Sequence, residues 1–89
     1  MPSPAEVTLL TQADCGHCED AKQLLARLDG EYPLAVRTVD LLTPEGQELA
    51  LRGGVMFPPG LFLDGQPFSY GRPSERKLRK ALAQRAAAR

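Results

Sequence analysis

Short apolar runs and amphipathic stretches alternate along the chain, and their spacing predicts its regular elements. The segments Glu6–Gln12 ("EVTLLTQ") and Leu34–Asp40 ("LAVRTVD") are short, apolar and β-branched, which is typical of strands. Between them, apolar residues recur at the i, i+3, i+4 and i+7 positions of a helix, namely Ala21, Leu24, Leu25 and Leu28. We therefore expect a helix that begins at Cys15 or Gly16 and ends at Leu28.

A second, shorter helix is predicted in "LTPEGQELALRGG". Thr43 can cap its N-terminus, Pro44 suits the first helical position, and Gly53–Gly54 would end it. Leu49 and Leu51 are its apolar residues. This helix would connect the second strand to the segments that follow.

The remainder of the chain predicts a hairpin and a final helix. "GLFLDGQPFSYG" is two short strands around an Asp-Gly turn, and Pro67 restricts the second strand to an edge of the sheet. Ser74 then caps the helix of "SERKLRKALAQRAAA".

The order β-α-β-α-β-β-α predicts an α/β fold. Because a helix follows each of the first two strands, these strands should be parallel, and the hairpin adds an antiparallel pair. We expect a mixed four-stranded sheet flanked by three helices. Val36 and Val39 are the core candidates of the second strand.

The residue totals are those of an ordinary soluble domain. The chain has 89 residues, 43% of them hydrophobic and 25% charged, which suits one domain over residues 1–89. Lys and Arg number 11, as do Asp and Glu, so neither nucleic acid nor a membrane is expected as the main partner. The last fifth of the chain is rich in Lys and Arg, which we interpret as a solvated helix face. With no basic leader and no membrane-length apolar segment, we expect a cytoplasmic protein, and a monomer.

The candidate chemistry is in "CGHC", between the first strand and the first helix. A disulfide here would close too small a loop to be a structural staple, so the pair predicts redox chemistry or metal binding. At a helix start, Cys15 would meet unpaired N–H groups and the positive end of the helix dipole, which lower a thiol's pKa from about 8.5 toward 7. Cys15 is then the nucleophile, and Cys18, one turn later and more buried, is the resolving thiol.

His17 lies between the two cysteines. An imidazole near Cys15 stabilises its thiolate and so makes the disulfide more oxidising. The alternative is that His17 is a solvent-facing spacer.

Together, a short strand, "CGHC" at a helix start and a proline directly before a β-hairpin resemble the thioredoxin superfamily, and the length resembles the minimal glutaredoxin form. The resemblance implies a thioredoxin-like fold and a thiol–disulfide oxidoreductase. It implies the redox-active disulfide Cys15–Cys18 with no other cofactor, and disulfide-containing proteins or small thiols as substrates.

The family has a cis-proline beside the disulfide, directly before the third strand. Counted back from the Asp-Gly turn, Pro59 fits that spacing and Pro58 would need one extra residue, so Pro59 is assigned as the cis-proline. A trans Pro-Pro turn is the alternative.

The residues around Pro59 form the substrate groove that the resemblance implies. The residue before the cis-proline pairs its backbone with an extended substrate or with glutathione in the family, and Pro58 lacks the N–H. One hydrogen bond of about 0.5–1.5 kcal/mol is lost. Gly60 is expected to leave space nearby, and Phe57 and Met56 to supply an apolar rim.

Other positions also depart from glutaredoxins. Gln12 stands where that family usually has a lysine, and Gln66, Pro67 and Phe68 replace the usual acidic residues. "YGRPSERKL" resembles thioredoxins and the redoxins that accept electrons from thioredoxin reductase. Leu9 occupies the position of the buried thioredoxin acid. The departures favour thioredoxin reductase over glutathione as the electron source.

Two alternatives remain open. The first is a glutathione-dependent glutaredoxin. An iron–sulfur cluster shared at a dimer interface is a separate option, which the altered groove disfavours because glutaredoxins use glutathione as a ligand of that cluster. The second is a soft-metal carrier, because C-x-x-C binds Cu(I) or Zn²⁺. Cys15, Cys18 and His17 supply at most three ligands whereas a closed zinc site has four, so we expect no metal.

Overall fold

The computed structural model describes residues 3–88 of the chain. Its elements are β1 (Ala5–Thr11), α1 (Gly16–Asp29), β2 (Leu34–Asp40), α2 (Pro44–Gly53), β3 (Gly60–Leu63), β4 (Gln66–Tyr70) and α3 (Glu75–Ala87). The predicted order β-α-β-α-β-β-α is confirmed. None of the helices among the described residues is long and apolar enough to cross a membrane.

The four strands form one mixed sheet in the order β2-β1-β3-β4. β1 pairs parallel with β2 and antiparallel with β3, and β3 pairs antiparallel with β4. β4 lies at one edge, as Pro67 predicts, and the β3–β4 register shifts between Leu61 and Phe62, close to that proline. β1 therefore lies inside the sheet, with a partner on each side.

Apolar residues on the two faces of β1 form two clusters. Leu9 is fully buried in the larger cluster, to which α1 and α3 contribute Leu25, Leu28, Leu78 and Leu82 among others. Leu10, the next residue, points to the opposite face and packs with Val39 and Phe62 beneath α2. Because consecutive residues of a strand face opposite sides, this pair places helices on both faces of the sheet.

The core candidate Val36 is exposed, and so is Leu51, one of the two apolar residues of α2. Val36 is 45% exposed because β2 is an edge strand that the helices leave mostly uncovered, whereas Val39 is buried. Leu51 is 85% exposed because it lies on the outer face of α2, whereas Leu49 packs against the smaller cluster. Each pair compares two residues of the same type, valine in β2 and leucine in α2, so the difference in exposure comes from packing and not from residue type.

The capping residues predicted for the last two helices are confirmed. The hydroxyl of Thr43 accepts a hydrogen bond from the N–H of Gly46 at 3.0 Å, and that of Ser74 accepts one from Lys77 at 3.2 Å. α2 ends at Gly54 in the left-handed conformation, where glycine carries no steric penalty. These caps set where each helix begins and ends relative to the sheet.

Candidate active site

Cys15 and Cys18 are joined by a disulfide at the start of α1. The chain reaches this point from the end of β1 through a turn in which Asp14 adopts a left-handed conformation, with φ 58°. Asp tolerates that conformation better than most side chains. The turn brings Cys15 to the N-cap of α1, just beyond the C-terminal end of β1.

The sulfur of Cys15 lies at the N-terminus of α1, next to the positive end of the helix dipole. Its Sγ accepts a hydrogen bond from the N–H of Cys18 at 3.1 Å, so the sulfur itself caps the helix. The first turn of a helix has N–H groups without backbone partners, and a negatively charged group is stabilised there. The same position that holds the disulfide sulfur therefore favours a thiolate on Cys15 once the disulfide is reduced.

The two sulfurs differ in their access to solvent. Cys15 is partly exposed, whereas Cys18 is only 2% exposed and belongs to the buried core residues. An incoming disulfide can therefore reach Cys15 and not Cys18. The roles of Cys15 as the attacking thiol and of Cys18 as the resolving thiol stay predictions.

His17 lies on the exposed side of α1. Its Nδ1 atom is 3.6 Å from Oδ2 of Asp20, and both side chains are more than half exposed. The tuning role of His17 stays a prediction.

The two prolines lie at the same end of the sheet as Cys15. Gly60 pairs with Leu10 near the C-terminal end of β1, so Pro58 and Pro59 lie at the end of the sheet where α1 begins. The Pro58–Pro59 peptide bond is cis, before the proline that the spacing indicates. Pro59 is buried, and its carbonyl accepts a hydrogen bond from the N–H of Gly71 at 2.8 Å.

An exposed apolar rim stands next to this loop. Met56 is 79% exposed and Phe57 is 55% exposed. Phe57 meets the ring of Tyr70 edge to face, with the ring centroids 5.2 Å apart. The sequence did not single out Tyr70 as part of the site, because the contact joins the loop before β3 to the end of β4.

The space expected beside Gly60 is filled. Gly60 is buried, and a Cβ atom there would lie 2.9 Å from Cγ2 of Val55 and 3.2 Å from Cδ1 of Leu10. Its missing side chain therefore lets the core close beneath α2 and does not open the groove to substrate. A glycine signals close approach, but the sequence does not say what approaches.

A groove of about 540 Å³ lies on the other side of Cys15. Three carboxylates line it, Asp14, Glu19 and Asp40, together with Lys22, whose ammonium is 3.4 Å from Glu19. Asp40 was not predicted as a site residue. It arrives because the parallel pairing sets it opposite Thr11, the last residue of β1.

The described residues hold few candidates for metal ligands. Residues 3–88 contain no group of three or more His, Cys, Asp or Glu side chains placed to hold a metal ion. Within the same range no polar or charged side chain is buried, and Leu9 is fully buried at the position of the thioredoxin acid. The cysteine pair is therefore the chemically reactive feature of this end of the sheet.

A family model and a curated relative each match most of this chain. The model of the family described as "Glutaredoxin-like domain (DUF836)" matches residues 6–83. A protein named "Thioredoxin" from Methanocaldococcus jannaschii is 28% identical over 83 residues, which are 93% of this chain and 98% of that protein. The range matched by the family model includes the cysteine pair and the hairpin of this chain.

Solved structures from three other organisms are similar in fold. A thioredoxin-like protein from Clostridium perfringens has a TM-score of 0.73 at 14% identity, over 91% of this chain and 70% of that one. A mutant thioredoxin from Halobacterium salinarum has a TM-score of 0.68 at 24% identity, over 92% and 74%. Fasciola hepatica thioredoxin has a TM-score of 0.65 at 22% identity, over 92% and 81%. These likenesses confirm the predicted thioredoxin-like fold.

Proposed function

Since this chain belongs to the glutaredoxin-like domain family and is a thiol–disulfide oxidoreductase, we propose that it reduces disulfides of other proteins with electrons from thioredoxin reductase. The observation that carries the proposal is the position of the disulfide, with an accessible Cys15 capping α1 and a buried Cys18 one turn behind it. The disulfide is the only redox group that the proposal requires.

The reaction runs through a mixed disulfide. The Cys15 thiolate attacks one sulfur of the substrate disulfide, forms a Cys15–substrate disulfide and releases the other substrate sulfur as a thiolate. The Cys18 thiolate then attacks Sγ of Cys15, which releases the second substrate thiolate and forms the Cys15–Cys18 disulfide. Two electrons have passed to the substrate, whose thiolates take up two protons. The dithiol of a reductase restores the starting state by the same exchange.

The charge beside Cys15 supports a protein substrate over glutathione. Glutathione carries two carboxylates and one ammonium at neutral pH, so it is anionic. The groove next to Cys15 presents Asp14, Glu19 and Asp40 against the one ammonium of Lys22, which already pairs with Glu19. Like charges at this range oppose binding of an anionic tripeptide.

The loop on the other side of the disulfide gives the same preference. Pro58 offers a carbonyl and no N–H, so one of the two backbone hydrogen bonds available to an extended ligand is absent. Met56 and Phe57 instead offer apolar surface, which an unfolded or extended protein segment can bury. Glutathione has little apolar surface to gain from that contact.

Trapping tests the assignment of the two thiols. With a protein disulfide as substrate, Cys15→Ser should abolish reduction. Cys18→Ser should accumulate a mixed disulfide with the substrate, which dithiothreitol reduces. Gel electrophoresis without reductant, followed by mass spectrometry of the linked peptide, identifies the attacking sulfur. A complex that forms through Cys18 in the Cys15→Ser variant, at the rate of the wild type, would refute the assignment.

The remaining expectations belong to the same proposal. We take the chain to act as one domain over residues 1–89, as a monomer, in the cytoplasm and without a further cofactor. A reducing compartment suits a dithiol that must be regenerated after each turnover. Size-exclusion chromatography of the oxidised and reduced forms measures the oligomeric state.

A further inference from the structure

The cations between Arg72 and Arg85 fall into two groups, those that form ion pairs and those that do not. Arg79 binds Glu31 and Glu75, and Arg85 binds Asp64 with Nε 2.6 Å from Oδ2. Four other cations form no ion pair within residues 3–88: Arg76, Lys77 and Lys80 of the helix, and Arg72 just before it. The interpretation of the basic run as a uniform solvated face therefore covers only part of it.

Three of these four cations, Arg72, Lys77 and Lys80, line one groove. The groove measures about 420 Å³ and lies between α3 and the edge strand β4, which contributes Phe68, Ser69 and Tyr70. Within the described residues no strand pairs with the outer side of β4. The groove thus combines positive charge, aromatic surface and the edge of a sheet.

The groove leads to the redox site. Tyr70 contacts Phe57 edge to face, and Gly71 donates its backbone hydrogen bond to the carbonyl of Pro59. Arg72 follows directly and lines the groove. The acidic groove of Asp14, Glu19 and Asp40 lies on the far side of Cys15. The surface around the disulfide is therefore positive towards β4 and α3 and negative on the opposite side.

We propose that the groove between β4 and α3 docks an acidic, extended segment of the protein whose disulfide is reduced. This inference rests on the proposed function and names the chemistry of its substrate. Because Lys77 and Lys80 have no carboxylate partner in the described residues, an acidic segment binds them without displacing one. Extended peptides pair with open sheet edges, and alternate side chains reach the surface beside the strand.

A single-turnover assay tests the charge preference. Three matched peptides carry one cysteine as a mixed disulfide with thionitrobenzoate, flanked by three Asp, three Asn or three Lys residues. The wild-type protein is first reduced, and release of the yellow thiolate is followed by stopped flow, so no reductase is needed. We expect the Asp peptide to react about tenfold faster than the Lys peptide at low salt, with the difference lost near 1 M salt.

Charge reversal locates the effect. Lys77→Glu combined with Lys80→Glu should invert the order of the three peptides. Arg37→Glu combined with Arg76→Glu changes the net charge equally but lies outside the groove, and should preserve the order. Glutamate at position 77 suits the first turn of α3 behind the Ser74 cap, and circular dichroism verifies the fold. Lys77→Gln with Lys80→Gln is a milder pair that should abolish the preference.

The outcomes separate the two proposals. Equal rates for all three peptides, or equal changes in both double variants, would overturn the docking site while thiol–disulfide exchange stands. Competition by a single-stranded oligonucleotide at Lys77 and Lys80, with no preference among peptides, would overturn it in favour of nucleic acid. If reduced wild-type protein releases thionitrobenzoate from none of the peptides, the proposed function itself fails.

Discussion

Gly71 connects the redox site to the end of β4, and replacing it with alanine tests that connection. Gly71 has a φ of 78°, and a Cβ atom there would lie 2.7 Å from Cε2 of Phe57. Gly65 has nearly the same φ, 81°, but a Cβ atom there meets nothing within 4 Å. Gly65→Ala is therefore a matched control with the same backbone penalty and no contact with the ring.

The costs of the two substitutions in the free energy of unfolding should differ by the contribution of one aromatic contact. A side chain in the left-handed region costs about 1–2 kcal/mol, which applies to both glycines. At position 71 the new methyl group also pushes the ring of Phe57 off Tyr70, and an aromatic pair is worth about 0.5–1.5 kcal/mol. We expect Gly71→Ala to lower the free energy of unfolding by about 2–3 kcal/mol and Gly65→Ala by about 1–2 kcal/mol.

A double-mutant cycle isolates the contact. Urea unfolding, followed by far-ultraviolet circular dichroism on the oxidised protein, gives the free energy for each variant. In a Phe57→Ala background, Gly71→Ala should cost no more than Gly65→Ala. Gly71→Ala should also slow the reduction of peptide disulfides, because Phe57 stands at the rim of the site. An equal cost of Gly71→Ala with and without the ring would refute this reasoning.

Three further outcomes follow from single contacts. Asp14→Val should cost about 1–3 kcal/mol in urea unfolding because a β-branched residue strains a φ of 58°, whereas Asp14→Gly should cost none. Hydrogen bonds from Arg79 hold the pKa of Glu31 and of Glu75 below the usual 4.5, so their stabilising effect is complete above pH 4.5 and is lost as the pH falls through the lowered values. Arg79→Gln should therefore show a smaller drop in Tm between pH 6 and pH 3 than wild type, and an equal drop would contradict the linkage. His17→Ala should make the reduction potential of the disulfide more negative, toward about −270 mV. The potential is measured by equilibration with glutathione or with a thioredoxin, and an unchanged value would mean that His17 is only a spacer.

The order of the elements was predictable because its signals are local. Helical spacing, the caps Thr43 and Ser74 and the proline at position 67 each depend on a few neighbouring residues, and each has the predicted role. The exposure of Val36 and Leu51 was not predictable in the same way. It depends on how far the helices extend over the sheet.

The candidate site was predictable only in part, for a related reason. Cys15 and Cys18 come from one motif, and their places in the helix follow from its start. The contact of Phe57 with Tyr70 and the arrival of Asp40 beside Cys15 depend on strand pairing between distant segments. The register of that pairing cannot be predicted from composition or from the spacing of residues within one segment.

The electron source tests the central claim most directly. NADPH oxidation is followed at 340 nm with a protein disulfide as the final acceptor, once with thioredoxin reductase and once with glutathione and glutathione reductase. The charges around Cys15 and the missing donor at Pro58 predict turnover with thioredoxin reductase and none above background with glutathione. Turnover with glutathione and none with thioredoxin reductase would contradict the account.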